Sequence, residues 1–149
     1  MVTVDIHNIL KQYFGFSAFR PQQEEIIHAV LEGKDVLALL PTGGGKSICY
    51  QVPALAREGV CLVVSPLIAL MKDQIDHLHR KNITAFALYS GQSFYEVRQI
   101  FKAVEDSNCK FFYVSPERLQ TKLFKEWLPS LNINLIAVDE AHCISQWGY

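Results

Sequence analysis

The sequence predicts an α/β fold with a mostly parallel sheet of about five strands flanked by helices. Apolar residues make up 50% of the 149 residues and charged residues 19%, which is typical of a globular domain with a buried sheet. Short apolar runs alternate with longer segments of helical periodicity. Polar motifs follow several of the apolar runs, at the strand ends where parallel sheets bind ligands. The length suits one domain.

The N-terminal part of the chain predicts two helices. Asp5 is placed to cap the first, apolar residues recur at one-face spacing over residues 6–14, and Gly15 ends it. Pro21 suits the first position of the second helix, which runs to Gly33.

Five apolar runs predict the strands. They are residues 36–40, 61–64, 85–88, 111–114 and 135–138. Helices are predicted between them, one from residue 46 to about residue 57 and others with apolar positions over residues 67–78, 97–104 and 119–128. This alternation implies right-handed crossovers and parallel strands.

A glycine-rich loop, Pro-Thr-Gly-Gly-Gly-Lys-Ser, occupies residues 41–47. Without Cβ atoms, its backbone N–H groups can converge on phosphates at the start of the next helix. Lys46 would reach the β and γ phosphates, and the Ser47 hydroxyl would ligate Mg²⁺. The alternative is a flexible turn with a surface lysine, because Leu40 stands where the full phosphate-loop pattern has glycine. The candidate phosphate-binding residues are Thr42, Gly43, Gly44, Gly45, Lys46 and Ser47.

Two acidic residues end the last predicted strand. Asp139 would hold Mg²⁺ through water, opposite Ser47, and Glu140 would orient or deprotonate an attacking water. An Asp-Glu pair at a strand end is common by chance, but its combination with the glycine-rich loop is not. Together the two motifs predict a site that binds and hydrolyses a nucleoside triphosphate with Mg²⁺.

Residues just before the glycine-rich loop suggest a pocket for adenine. An aromatic ring such as Phe16 can stack on a base, and a glutamine amide can both donate to and accept from the base edge. Gln22 and Gln23 lie about 100° apart on a helix, so only one of them can face the base. The alternative is a helix start with Phe16 and Phe19 in the core.

Charge and composition argue against a generally basic nucleic-acid-binding protein, a secreted protein and a membrane protein. The net charge is −1, so contacts to nucleic acid must come from placed side chains and not from a generally basic surface. No signal-peptide core is visible, and no apolar run approaches the roughly 20 residues of a membrane helix. We therefore expect a soluble cytoplasmic protein. The four cysteines are scattered without metal-ligand spacing and are expected to be free thiols, namely Cys49, Cys61, Cys109 and Cys143.

Five ordered motifs cover nearly the whole chain. They are FGF…FRPxQ at residues 14–23, PTGGGKS at 41–47, VSPLIALMKDQ at 64–74, SPERL at 115–119 and DEAHCISQWG at 139–148. In this order they resemble the motifs of RecQ DNA helicases, whose loop also lacks glycine at the position of Leu40. The last motif separates this family from general DEAH-box RNA helicases.

The resemblance implies a RecA-like P-loop NTPase domain and a role for each nucleotide-site residue. Phe16 would stack on adenine, while Arg20 and Gln23 would recognise the base and its neighbourhood. Gln22 stands where the family is expected to have glycine. His142 would couple the nucleotide state to a second motor domain.

The resemblance also implies a path for DNA. The residues it assigns to DNA are Ser65, Lys72, Ser115, Arg118, Gln146 and Trp147. Serine hydroxyls and N–H groups at helix starts suit phosphate oxygens, and the last two residues begin an aromatic-rich loop that stacks on single-stranded DNA. The alternatives are solvated helix faces for Lys72 and Arg118, and a core position for Trp147.

By this resemblance, residues 1–149 are the first motor domain of a 3′–5′ ATP-dependent DNA helicase of recombination and repair, truncated at its C-terminal end. The second motor domain, a zinc-binding module and a winged helix would be absent. The expected partners are single-stranded and partly duplex DNA and the second motor domain, with no membrane and a bacterial, nucleoid-associated location. The chain alone is expected to bind Mg-ATP but to hydrolyse it negligibly. A nucleotide-binding module without motor activity and an ATPase acting on RNA remain open.

Overall fold

The computed structural model describes residues 5–38 and 45–139. The chain divides into two units, Met1–Glu58 and Gly59–Tyr149. The described part of the first unit is helical, and the described part of the second unit holds a four-stranded parallel sheet. Among these residues, every helix is too short or too polar to span a lipid bilayer.

Three α-helices occur in the described part of the first unit. They are α1 (Ile6–Ile9), which continues into a π-helical turn (Leu10–Phe14), α2 (Gln23–Leu31) and α3 (Ile48–Leu55). The Asp5 side chain caps α1 by accepting from the backbone N–H groups of His7 and Asn8, and Gly15 ends the π-helical turn with φ 75°. The apolar faces of the helices form one core, made of Ile6, Leu10, Ile27, Ile48 and Val52.

Helix α2 begins at Gln23, two residues later than Pro21, where the sequence predicts its start. The reason is the backbone of Gln22, which has φ 75° and ψ −21° and so lies in the left-handed region. A left-handed residue cannot belong to a right-handed helix, and the helix therefore starts after it.

The second unit alternates strands and helices. Its elements are β1 (Val60–Val64), α4 (Ile68–Arg80), β2 (Ala85–Leu88), α5 (Phe94–Asp106), β3 (Phe111–Val114), α6 (Pro116–Leu119), α7 (Lys122–Trp127) and β4 (Ile133–Val138). The strand order is β2-β3-β1-β4, and every neighbouring pair is parallel. The predicted fold class, a parallel α/β sheet flanked by helices, is confirmed.

Aromatic residues fill one side of this sheet. Phe101 of α5 stacks on Trp127 of α7, with ring centroids 4.0 Å apart and planes 12° from parallel. Phe112 of β3 meets the same tryptophan edge to face at 5.5 Å, and Phe124 lies 6.1 Å from it. Since aromatic pairs prefer offset-stacked or edge-to-face contacts, these rings fix α5 and α7 against β3.

The predicted strand at residues 36–40 is not found where the structure describes it. Residues 36–38 form no strand, and the Leu37 side chain is 77% exposed; residues 39 and 40 lie outside the described residues. The apolar run alone was not sufficient to predict a strand, because a strand also needs a hydrogen-bonded neighbour. Four strands are therefore observed in the described residues, where about five were predicted.

The helix predicted over residues 119–128 is two helices followed by a 3₁₀ turn, Leu128–Ser130. Thr121 separates α6 from α7. Its backbone is extended, with φ −71° and ψ 143°, and its hydroxyl caps α7 by accepting from the Phe124 backbone N–H. A threonine at this position favours a new helix start over continuation of the preceding helix.

Candidate functional site

The four parallel strands end in a row at one edge of the sheet. Backbone hydrogen bonds continue one residue past the strands: Asp139 donates to Val64 (2.8 Å), Ser65 to Val114 (3.1 Å) and Ser115 to Leu88 (2.9 Å). Neighbouring strands lie about 4.8 Å apart. The residues that follow the strands therefore form a short line, in the order Tyr89, Ser115, Ser65, Asp139.

The two serines of this row are buried, with 1% exposure for Ser65 and 2% for Ser115. The Ser65 hydroxyl accepts weakly from the Leu67 backbone N–H at 3.4 Å. The Ser115 hydroxyl has no hydrogen-bond partner in the described part of the chain. Because a buried hydroxyl without a partner is costly, Ser115 is suited to receive a polar ligand at this edge.

Asp139 stands at the β4 end of the row and is partly buried. This position lies at the edge at which parallel sheets bind ligands, and a carboxylate is a suitable ligand for Mg²⁺. The other residues predicted beyond this strand lie outside the described residues; they are Glu140, His142, Gln146 and Trp147.

Arg118 holds the loop that follows β2. Its Nε donates to the Tyr89 carbonyl oxygen at 3.0 Å, and its second terminal nitrogen donates to the Gln92 carbonyl oxygen at 2.9 Å. The Gln92 side chain completes the loop by accepting from the Tyr89 backbone N–H at 2.9 Å and donating to the Ala87 carbonyl oxygen at 3.3 Å. Two of the guanidinium donors are thus committed to shaping this turn.

Lys72, on α4, points to the same loop. Its Nζ lies 5.2 Å from the centroid of the Tyr89 ring, within the range of a cation–π contact. Tyr89 and Gln92 were not predicted as site residues. The sequence did carry a signal for them, since Gly91 between polar residues after an apolar run indicates a tight turn, and its φ of 98° confirms that glycine is needed there.

The end of the glycine-rich loop lies in the first unit. Gly45 has φ 79°, and its carbonyl oxygen accepts from the Ile48 backbone N–H at 3.2 Å. Lys46 and Ser47 form the turn that leads into α3, with Ser47 at the N-cap position. Thr42, Gly43 and Gly44 lie outside the described residues.

Gln23 joins the predicted base pocket to this loop. It is 2% exposed; its Oε1 accepts from the Arg20 backbone N–H at 2.8 Å, and its Nε2 donates to the Gly45 carbonyl oxygen at 3.0 Å. A Cβ atom at Gly45 would lie 2.6 Å from this Nε2. Recognition of a base edge would therefore require Gln23 to exchange one of these bonds.

The other predicted base-pocket residues are accessible. Phe16 is 50% exposed, so its ring is available for stacking, and Arg20 is exposed as well. Phe19 is half-buried, packs against the core of the first unit and meets His7 edge to face at 5.0 Å. The alternative that both phenylalanines lie in the core thus holds for Phe19 only.

The cysteines in the described residues are free thiols, as predicted. Burial raises the pKa of Cys49 to about 11, and of Cys61 and Cys109 to about 12. Cys143 lies outside the described residues. No group of three or more potential metal ligands occurs among the histidine, cysteine, aspartate and glutamate side chains that the structure describes.

The DEAD/DEAH box helicase family matches residues 20–149. The chain belongs to the DEAD/DEAH box helicase family. Among curated helicases of this kind it is 48% identical over 142 residues to the ATP-dependent DNA helicase RecQ of Pasteurella multocida and 47% identical over 143 residues to that of Bacillus subtilis. Each alignment covers 95% of this chain, and the predicted RecQ resemblance is confirmed.

Solved helicases share the fold. The DUF1998 helicase MrfA, bound to DNA and AMPPNP, matches 92% of this chain and 20% of its own, with a TM-score of 0.74 and 24% identity. A hypothetical ATP-dependent RNA helicase from Sulfolobus tokodaii matches 96% of this chain and 43% of its own, with a TM-score of 0.71 and 25% identity. The chain spans under a quarter of the length of the RecQ helicases named above, 22% and 24%.

Proposed function

We propose that this chain is the ATP-binding portion of a 3′–5′ ATP-dependent DNA helicase that couples hydrolysis to duplex unwinding in recombination and repair. The row of strand ends carries the proposal. It sets Asp139, the proposed magnesium ligand, beside Ser65, and Ser115 follows on the next strand. A helicase needs its nucleotide site close to its DNA contacts, because a change in the bound nucleotide must alter the affinity for the DNA strand.

The residues at the end of the glycine-rich loop fit a nucleotide. Gly45 adopts a conformation that favours glycine, and its missing side chain leaves room for Gln23 against the loop backbone. Lys46 would hold the phosphates, and Ser47 would ligate Mg²⁺. When bound, Mg-ATP would supply the phosphoanhydride bond between the β and γ phosphates, whose hydrolysis drives the motor. Phe16 would stack on the base, and Arg20 and Gln23 would recognise its edge.

The DNA side of the proposal rests on buried and backbone groups. The Ser115 hydroxyl has no hydrogen-bond partner among the residues that the structure describes, so it suits a phosphate oxygen. The backbone at the starts of α4 and α6 suits phosphate oxygens as well, and such contacts carry no sequence information. Lys72 adds a positive charge close to the loop that follows β2. Binding that depends on a few placed groups agrees with a net charge of −1.

A calorimetric titration with Mg-ATP and Mg-GTP tests the nucleotide site. Lys46→Ala should abolish binding, and Gln23→Ala should remove the preference for ATP, while Lys11→Ala, an exposed lysine of the first unit, should change neither. Equal binding of ATP by the Lys46→Ala variant would contradict the proposal.

A second measurement tests the motor. The full-length gene product should hydrolyse ATP faster when single-stranded DNA is added, and RNA should compete poorly with that DNA. The 149-residue chain should bind Mg-ATP with negligible turnover. Stimulation by RNA in place of DNA would favour the RNA-acting alternative, and DNA-stimulated turnover by the 149-residue chain would contradict the expected dependence on a second motor domain.

A further inference from the structure

We propose that one face of α5 is an additional binding surface for single-stranded DNA. This surface, the α5 aromatic face, consists of Phe94, Tyr95, Arg98 and Lys102. The inference rests on the proposed function, which brings a DNA strand to the adjoining edge of the sheet. None of these four residues belongs to the motifs that carry the family resemblance.

Both aromatic residues are largely exposed. The Phe94 side chain is 67% exposed and that of Tyr95 is 72% exposed. The core contacts of α5 come from other positions, since Val97, Phe101 and Val104 are buried. The fold therefore does not need two large rings at the start of this helix, and neighbouring exposed aromatic residues indicate an interaction surface.

Helix geometry groups these rings with two cations. Phe94, Arg98 and Lys102 recur every four residues and so form one stripe, and Tyr95 lies beside it. The Arg98 guanidinium carbon is 5.6 Å from the centroid of the Phe94 ring, a cation–π contact that orients the ring. Nearby on the helix, the Glu105 carboxylate is engaged by the Trp127 indole N–H.

The start of α5 is held at the same edge as the proposed DNA contacts. The loop before it is tied to Arg118 through the carbonyl oxygens of Tyr89 and Gln92, and the Ser93 hydroxyl caps the helix by accepting from the Glu96 backbone N–H at 3.1 Å. The α5 aromatic face thus begins at Phe94, two residues after Gln92, whose carbonyl oxygen accepts from Arg118.

Exposed aromatic rings beside cations suit single-stranded DNA. Unpaired bases stack on aromatic rings with about 1–3 kcal/mol per base, and cations between the rings pair with phosphates. Every base offers a π face, so binding of this kind tolerates any sequence. Duplex DNA keeps its bases stacked on one another, so the surface should prefer single strands.

The test uses the full-length gene product and a thymidine oligonucleotide that carries 5-iododeoxyuridine. Irradiation should crosslink the tryptic peptide of residues 82–98, which contains both rings. The matched affinity series compares Phe94→Gln, Tyr95→Gln and Arg98→Gln with two controls, Gln99→Ala on α5 and Lys125→Gln on α7. All five positions are solvent-exposed, and circular dichroism checks that each variant is folded.

Each aromatic substitution should weaken binding by about 5- to 150-fold, the equivalent of one lost stack. Arg98→Gln should also lower the slope of log affinity against log salt by about 0.7. The controls should bind like the wild type.

Two results would overturn the inference and separate it from the proposed function. If the wild type binds the oligonucleotide and hydrolyses ATP but the aromatic variants bind equally well, the face serves another partner, such as a protein, and the helicase proposal stands. If the wild type binds no single-stranded DNA at all, both proposals fail.

Discussion

Gln22 has a left-handed backbone conformation that its side chain disfavours. A left-handed conformation costs a residue with a Cβ atom roughly 1–2 kcal/mol, whereas glycine adopts it freely. The φ of 75° is a physical reason to expect glycine at this position.

Replacing Gln22 by glycine should therefore stabilise the protein. We expect Gln22→Gly to raise the free energy of unfolding by about 0.5–1 kcal/mol, after allowance for the greater entropy of glycine in the unfolded chain. Urea unfolding followed by circular dichroism measures the change. Gln22→Ala should give no gain, and Glu25→Gly inside α2 should lose about 1 kcal/mol. A loss of stability in Gln22→Gly would contradict the left-handed assignment.

Gly45 is subject to the opposite constraint, since a side chain there meets both a positive φ and the amide of Gln23. Gly45→Ala should lower stability by roughly 1–2 kcal/mol and weaken binding of Mg-ATP. In a double-mutant cycle, adding Gln23→Ala should recover part of the loss by removing the contact, but not the part due to φ. Additive losses in the cycle would show that the two residues do not interact.

At the scale of elements, Arg118 links the start of α6 to the loop after β2. A lysine keeps the charge but cannot donate to the carbonyl oxygens of Tyr89 and Gln92 in the same forked geometry. Without DNA, Arg118→Lys should increase amide hydrogen exchange over residues 89–93, while Arg80→Lys should not. Unchanged exchange in the Arg118→Lys variant would indicate that this arginine is free to serve mainly as a phosphate contact.

The elements also show what the sequence could and could not predict. Strands β2 and β3 were predicted at their observed bounds, because short apolar runs between turn residues suit buried parallel strands. The run at residues 36–38 has the same character but forms no strand, since pairing depends on a neighbour that periodicity does not reveal. The clamp made by Arg118 was likewise missed, because it joins residues 26 and 29 positions apart.

At the scale of the whole molecule, three buried thiols link stability to pH. The pKa of Cys49 is raised to about 11, and those of Cys61 and Cys109 to about 12, from a reference value of 9.0. The unfolded chain releases these protons near pH 9 and the folded chain does so only at higher pH. The stabilisation is therefore complete below pH 9 and is lost as the pH rises toward 11 and 12.

Urea unfolding between pH 8 and pH 10.5 measures this loss. Each thiol should contribute up to about 1.4 kcal/mol per pH unit within its window. Because lysines and tyrosines titrate in the same range, the informative quantity is a difference: Cys61→Ala should make the decline shallower than in the wild type. Identical slopes would mean that Cys61 is accessible to solvent in the folded protein.

The exposed side of β4 has a practical consequence for purification. Within residues 5–38 and 45–139, this strand is the last in the sheet order, and it exposes 61% of Ile136 and 45% of Val138. Apolar edge strands favour pairing between molecules. Concentrated stocks of the 149-residue chain should therefore self-associate, with a sedimentation coefficient that rises with loading. Ile136→Lys should hold that coefficient constant and lengthen the time for which stored samples remain clear.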